Sequence, residues 1–189
     1  MKLKKSFWVS ILFVSILIFS CSSTTFVIPG HAEAVELNIY NEYMNLGNEY
    51  FNLKKYDKAI SFYSKCLENE TLYWTAYYKL AQSYAFNSDW NNSLKMYEVL
   101  LERDAENLTL KESVAYLYAM KGDSDKAVEM YKDLYASFPD KSSYLENLII
   151  VLVSQKNKEQ SEFYLKELKE KFNDCSKLEE LEKAVNGLN

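Results

Sequence analysis

The feature that most constrains this chain is that it superimposes on itself every 34 residues. Blocks beginning at Tyr40, Trp74, Leu108 and Ser142 align without a gap. Position 7 of the block is Leu46, Leu80, Val114 and Leu148, and position 8 is Gly47, Ala81, Ala115 and Ile149. Position 11 is Tyr50, Tyr84, Tyr118 and Leu152. Position 20 is Ala59, Ser93, Ala127 and Ser161, and position 24 is Tyr63, Tyr97, Tyr131 and Leu165. Chance self-similarity does not hold one period from residue 40 to residue 175, so the chain is an array of one supersecondary unit. Small side chains at positions 8 and 20 let two antiparallel helices approach closely, and large ones at 11 and 24 fill the seam around them. Composition agrees: 4 Gly and 2 Pro in 189 residues leave few tight turns for a β-sandwich or a phosphate-cradling α/β enzyme.

The segments Tyr43-Met-Asn-Leu46-Gly47-Asn-Glu-Tyr50 and Tyr56-Asp57-Lys58-Ala59-Ile60-Ser-Phe-Tyr63 resemble the tetratricopeptide repeat. That family's pattern places a large residue at 4, Leu at 7, small residues at 8 and 20, Tyr at 11 and an aromatic at 24. The resemblance implies an all-α, right-handed superhelical solenoid of four helix pairs, over residues 40–73, 74–107, 108–141 and 142–175. Breaks between paired helices are expected at Lys54-Lys55, Asn87-Ser88-Asp89, Gly122-Asp123 and Lys156-Asn157. The sequence departs from the family at position 27, usually small, where it has Cys66, Leu100, Leu134 and Leu168. The family's Pro at position 32 survives only as Pro139. Block four has bulky Ile149 at position 8, and its run Leu148 to Val153 would pass alone for a buried strand; register with the other blocks assigns it to a helix. After block four, Leu178, Leu181, Val185 and Leu188 form one apolar stripe, and Ser176 and Glu179 have capping-box spacing. A capping helix over 176–188 is therefore expected to close the array.

Ahead of the repeats, Lys2, Lys4 and Lys5 precede the apolar run Phe7 to Phe19, the pattern of an export signal. Thirteen residues is short of the roughly 20 that span a bilayer as a helix. Ile18-Phe19-Ser20-Cys21 resembles the bacterial lipobox, although Phe19 is bulkier than usual; the resemblance implies cleavage before Cys21 and lipidation of its thiol. Ala32-Glu33-Ala34 offers an alternative cleavage pattern, thirteen residues beyond the apolar run. The expected organisation is a signal over 1–20, a lipidated Cys21 with a flexible tether over 21–38, and a repeat domain over 39–189. Loss of three Lys with the signal leaves 19 basic against 27 acidic side chains, a balance that argues against a broad nucleic-acid surface.

Catalytic constellations are not found in the sequence. Its one His, His31, falls in the expected tether, and Cys21, Cys66 and Cys175 lack zinc-ligand spacing. Cys66 occupies an inward position, consistent with a small buried residue, and a Cys66–Cys175 bridge would have to join the first and last repeats. Glu179, Glu180 and Glu182 read as exposed helix residues. No cofactor or metal is implied.

Function falls instead to the concave face, which in the resembled family is lined by positions 2, 5, 6, 9, 12 and 13 of each block's first helix. Carried over, the groove is Met44, Asn48, Phe51 and Asn52; Tyr78, Lys79, Gln82 and Phe86; Glu112, Tyr116 and Met120; and Ile150, with Ala85, Thr109 and Ser113 among the remaining positions. Amides interleaved with aromatics and Met suit an extended peptide. The family's carboxylate clamp would require cations and amides where this chain has Met44, Lys79, Thr109 and Ser113, with only Asn48 matching. The expectation is a non-enzymatic, lipid-anchored scaffold or assembly factor of a bacterial envelope, with a protein partner in its groove and a membrane contact through Cys21. The alternatives are a solute-uptake accessory lipoprotein holding a small hydrophobic ligand, and a regulatory subunit of an envelope enzyme.

Overall fold

Position 20 shows how closely the helices approach: Ala59, Ser93, Ala127 and Ser161 are each 0% exposed. They sit in a computed structural model that describes the backbone of residues 32–188 and the side chains of residues 39–188. Four helix pairs follow the 34-residue blocks: α1 (Ala32–Asn52) with α2 (Tyr56–Cys66), α3 (Tyr73–Phe86) with α4 (Trp90–Arg103), α5 (Leu108–Lys121) with α6 (Ser124–Ser137), and α7 (Ser142–Ser154) with α8 (Lys158–Lys171). A ninth helix, α9 (Leu178–Asn186), ends the array, and no strand occurs among the described residues. The architecture is an all-α helical-repeat solenoid, and the apolar run at 148–153 lies within α7.

The turn inside each pair has one conformation. Lys54, Ser88, Gly122 and Lys156, all at position 15, have positive φ. Each is followed by the same double closure: Lys54 and Lys55 donate their N–H groups to the Phe51 and Tyr50 carbonyls, and Lys156 and Asn157 donate to Val153 and Leu152, all at 2.9–3.0 Å. Helix-end carbonyls are satisfied and the chain reverses within a few residues. At position 16, the Asp89 and Asn157 side chains accept from the backbone N–H of Asn92 and Gln160, capping α4 and α8.

Stacking between pairs uses positions 3 and 10. In repeats two to four these are Ala76, Leu110 and Tyr144, and Ser83, Leu117 and Val151, all buried. In repeat one they are Glu42 and Glu49, both exposed. The outer face of α1 is thus polar, as the terminal unit of a solenoid requires. At the other end Leu181 and Val185 of α9 are buried against Leu145, Ile149, Leu165 and Leu168. Repeat four accepts its bulky Ile149 because the aromatics at positions 11 and 24 are replaced by Leu152 and Leu165, all three buried; volume moves across the seam rather than being added to it.

Two boundaries differ from expectation. Helix α1 starts at Ala32, so residues 32–38, expected in the tether, are helical; beyond Gly30 the run Ala-Glu-Ala-Val-Glu-Leu consists mainly of helix formers. Cys21 and His31 lie outside the described residues. The expected capping box at Ser176 and Glu179 does not form: α9 covers 178–186, with Lys177 at its N-cap and no side-chain cap bond. The preceding loop is tied to α7 instead. Cys175 Sγ and Ser142 Oγ donate to Glu146 Oε1 at 3.2 and 2.9 Å, and Lys177 Nζ lies 3.4 Å from its Oε2. Burial opposes the charge on Glu146, but the bonds from Cys175 and Ser142 and the Lys177 ammonium outweigh it and hold the carboxyl below its usual range. Cys66 is fully buried and Cys175 partly so, and both are free thiols.

Candidate functional site

First-helix positions of the two central repeats converge on one cavity of about 350 Å³. Helix α3 contributes Gln82, Ala85 and Phe86, and α5 contributes Thr109, Glu112, Ser113 and Tyr116. Seven of its nine lining residues therefore occupy groove positions carried over from the sequence. The other two, Tyr97 and Leu117, form its floor; they belong to position 24, which the sequence marks as packing, and position 10, which stacks the pairs, and both are buried. A deep groove reaches the packing layer, and no surface pattern in the sequence announces where.

Four large apolar side chains are left exposed along this face. Phe86 is 57% exposed, Tyr116 49%, Ile150 46% and Met120 43%, at position 13 of repeats two and three (Phe86, Met120) and position 9 of repeats three and four (Tyr116, Ile150). Phe86 is braced by Phe51 and Tyr56, with ring centroids 5.3 and 5.4 Å away. Burial pushes the Tyr97 hydroxyl well above its ordinary range, and burial first, then the neighbouring Tyr116 and Glu112, raises that of Tyr131 to about 12. Both stay neutral near physiological pH. Glu112 accepts a hydrogen bond from Tyr144 Oη and lies 3.7 Å from Lys141 Nζ, so its charge is already partnered.

A second cleft of about 410 Å³ shares Thr109 with the first. Trp74 and Tyr78 of α3, Leu100 and Arg103 of α4, and Asn107 and Leu110 at the start of α5 line it. Tyr78 also packs edge-on against Tyr97 at 5.9 Å, so it belongs to the core as well as to the groove.

The remaining expected groove residues are dispersed. Met44 is 9% exposed and packs in the core with Ala59, Tyr63, Cys66, Ala76 and Leu80, so it offers no open groove surface. Position 5 is covered in repeat one because α2 and α3 residues close over the apolar Met44 side chain; Glu146, at the same position of repeat four, is equally buried. Asn48 accepts a bond from Tyr63 Oη at 2.9 Å. Asn52 is exposed and Lys79 half-buried; neither lines either of these two clefts, nor do Met120 and Ile150. Among the described residues, no cluster of His, Cys, Asp and Glu could hold a metal ion, and no helix is long and apolar enough to cross a membrane.

Stacked helix pairs that present one lined groove from their first helices define a helical-repeat interaction module. Tetratricopeptide repeat models match residues 40–70, 75–107 and 114–141, and the chain belongs to the tetratricopeptide repeat family, whose domains bind protein partners. Repeat four, with its altered seam, lies outside the matched residues but keeps the helix pair. Curated proteins give no significant match. Among solved structures, a tetratricopeptide repeat protein from Parabacteroides merdae superimposes with a TM-score of 0.66 at 17% identity, over 78% of this chain and 59% of that one, less than two thirds of its length. A thermophilic tetratricopeptide protein of Thermus thermophilus gives 0.53 at 19% identity over 79% and 80%. YrrB, a tetratricopeptide protein described as having an unusual peptide-binding site, gives 0.57 at 16% identity over 85% and 92%. At these identities the likeness is one of fold.

Proposed function

We propose that the protein is a non-enzymatic, lipid-anchored scaffold or assembly factor of a bacterial envelope that holds an extended protein segment between α3 and α5. The observation that carries this reading is the exposed row of Phe86, Tyr116, Met120 and Ile150 along a groove whose lining also offers the Gln82 amide and the Thr109 and Ser113 hydroxyls. Large apolar side chains left in water on one face mark an interaction surface, and binding energy concentrates in central aromatics. The peptide-binding site ascribed to YrrB is in keeping with this use of the fold. Crosslinking in cells, followed by identification of the captured protein, tests it. Tyr116→Ala is expected to weaken capture by about 2 kcal/mol or more while the exposed, outward Lys95→Ala and Glu129→Ala leave it intact. Outward changes that abolish capture while Tyr116→Ala is silent would overturn the groove. Tyr78→Ala is a poorer probe, since losing its contact with Tyr97 lowers stability too.

The anchor rests on the three lysines, the apolar run and the lipobox-like Ile18-Phe19-Ser20-Cys21. Cys21→Ser is expected to abolish labelling by a fatty-acid probe and leave unprocessed precursor. A normally processed, soluble Cys21→Ser protein would refute it.

A further inference from the structure

We infer that the cleft beside Trp74 is a carboxylate subsite, in which Arg103 reads an Asp or Glu side chain of the segment held in the neighbouring groove; the inference rests on that groove binding a peptide. Arg103 is the chain's single arginine. Its guanidinium carbon lies 4.1 Å from the centroid of the Trp74 ring, a stacking that orients a planar cation and leaves its edge donors free. It stands in the last turn of α4, where a cation is favoured by the helix dipole, yet that role spends none of its N–H groups. Among the described residues no carboxylate forms an ion pair with it.

None of the nearby acids pairs with Arg103. Asp104, which also lines the cleft, accepts from Asn107 Nδ2 at 2.9 Å, and Glu106 pairs with Lys111 at 3.1 Å. Glu102 lines a different cleft, with Glu98 and Tyr118. In the adjoining groove Glu112 is partnered by Lys141 and Tyr144. What remains is a guanidinium stacked on Trp74, without an ion pair, in a cleft that shares Thr109 with the apolar groove. A segment complementary to that surface carries an acidic side chain beside a large apolar one. Arg103 is exposed at the rim of the cleft, so a segment can run past it and present the acid as a side chain.

The test uses the full chain in detergent and a random-peptide library displayed with blocked C-termini. Peptides selected on the wild type are expected to be enriched in Asp or Glu flanked by an aromatic or aliphatic residue. Replacing the acid by its amide, or Arg103→Gln in the protein, is expected to weaken binding about tenfold each, with no further loss when both are combined. Arg103→Glu should recover binding to the peptide in which the acid is replaced by Lys, a rescue that a structural role for Arg103 would not produce. Peptides without acid enrichment, bound equally by wild type and Arg103→Gln yet lost with Tyr116→Ala, would overturn the subsite and leave the groove standing. Binding only by peptides with a free C-terminus would overturn the side-chain assignment. Peptides indifferent to Tyr116→Ala would overturn the groove reading, and the subsite with it.

Discussion

Gly47 shows how one atom sets the spacing of a helix pair. A Cβ placed there would lie 2.5 Å from Tyr63 Cε1 and 2.6 Å from Cδ1, so the buried ring, whose hydroxyl is held by Asn48, would have to move. Gly47→Ala is expected to cost about 1–3 kcal/mol, seen as a lower midpoint of thermal unfolding. The turns carry the opposite opportunity. Lys156 holds φ 57, a region that costs a side-chain-bearing residue about 1–2 kcal/mol, so Lys156→Gly is expected to raise stability by about 1 kcal/mol once the flexibility of glycine is deducted. Gly122→Ala should lose a similar amount, purely conformationally, because nothing lies within 4 Å of its missing Cβ. Only Gly122 of the four turn residues signals this conformation in its identity; Lys54, Ser88 and Lys156 do not. The turn positions were legible from the repeat, but their shared left-handed geometry was not.

At the scale of elements, the repeat register makes a sharp claim about α6, where adjacent residues should differ completely. Ala127 is 0% exposed among Tyr131, Tyr144 and Leu148, whereas the exposed Lys126 only reaches over the Tyr118 ring and toward Asp123 at 3.4 Å. Ala127→Leu is expected to cost about 1–3 kcal/mol by overpacking, and Lys126→Leu no more than about 0.5 kcal/mol, both measured by denaturant unfolding; equal tolerance would mean the register is wrong. This packing was legible because it is set by side-chain size at fixed spacing. The starts of α1 and α9 were not. One extends beyond the repeat frame on local helix propensity, and the other is fixed by the contacts of Cys175 and Lys177 with Glu146, two helices back in the chain. The groove residues divide in the same way. Gln82, Phe86, Glu112 and Tyr116 meet where the positions carried over from the family place them. Met44 does not, since Ala59, Tyr63 and Cys66 of α2 and Ala76 and Leu80 of α3 close over it, a set of tertiary contacts that its own position in the repeat does not disclose.

Over the whole array, stability is carried between neighbours, because each helix pair buries its faces against the next and only the end faces differ. Repeat one ends in exposed Glu42 and Glu49 and needs no cover. The other end depends on α9, whose Leu181 and Val185 shield the buried Leu145, Ile149, Leu165 and Leu168. The groove sits between α3 and α5, away from both ends, so damage to the cap should reach it last. Leu181, 3% exposed, tests this: Leu181→Ala is expected to cost about 2–4 kcal/mol locally, by removing buried methyl groups and leaving a cavity. Native-state hydrogen exchange should then show protection falling in α9 and α8 and in the face of α7 they cover, while amides of α3 and α5 keep the protection of the wild type. Peptide capture through Tyr116 should survive the same substitution. A uniform loss of protection from α1 to α9 would instead mean that the repeats open as one unit, and that the cap helix holds the binding groove in shape from the far end of the array.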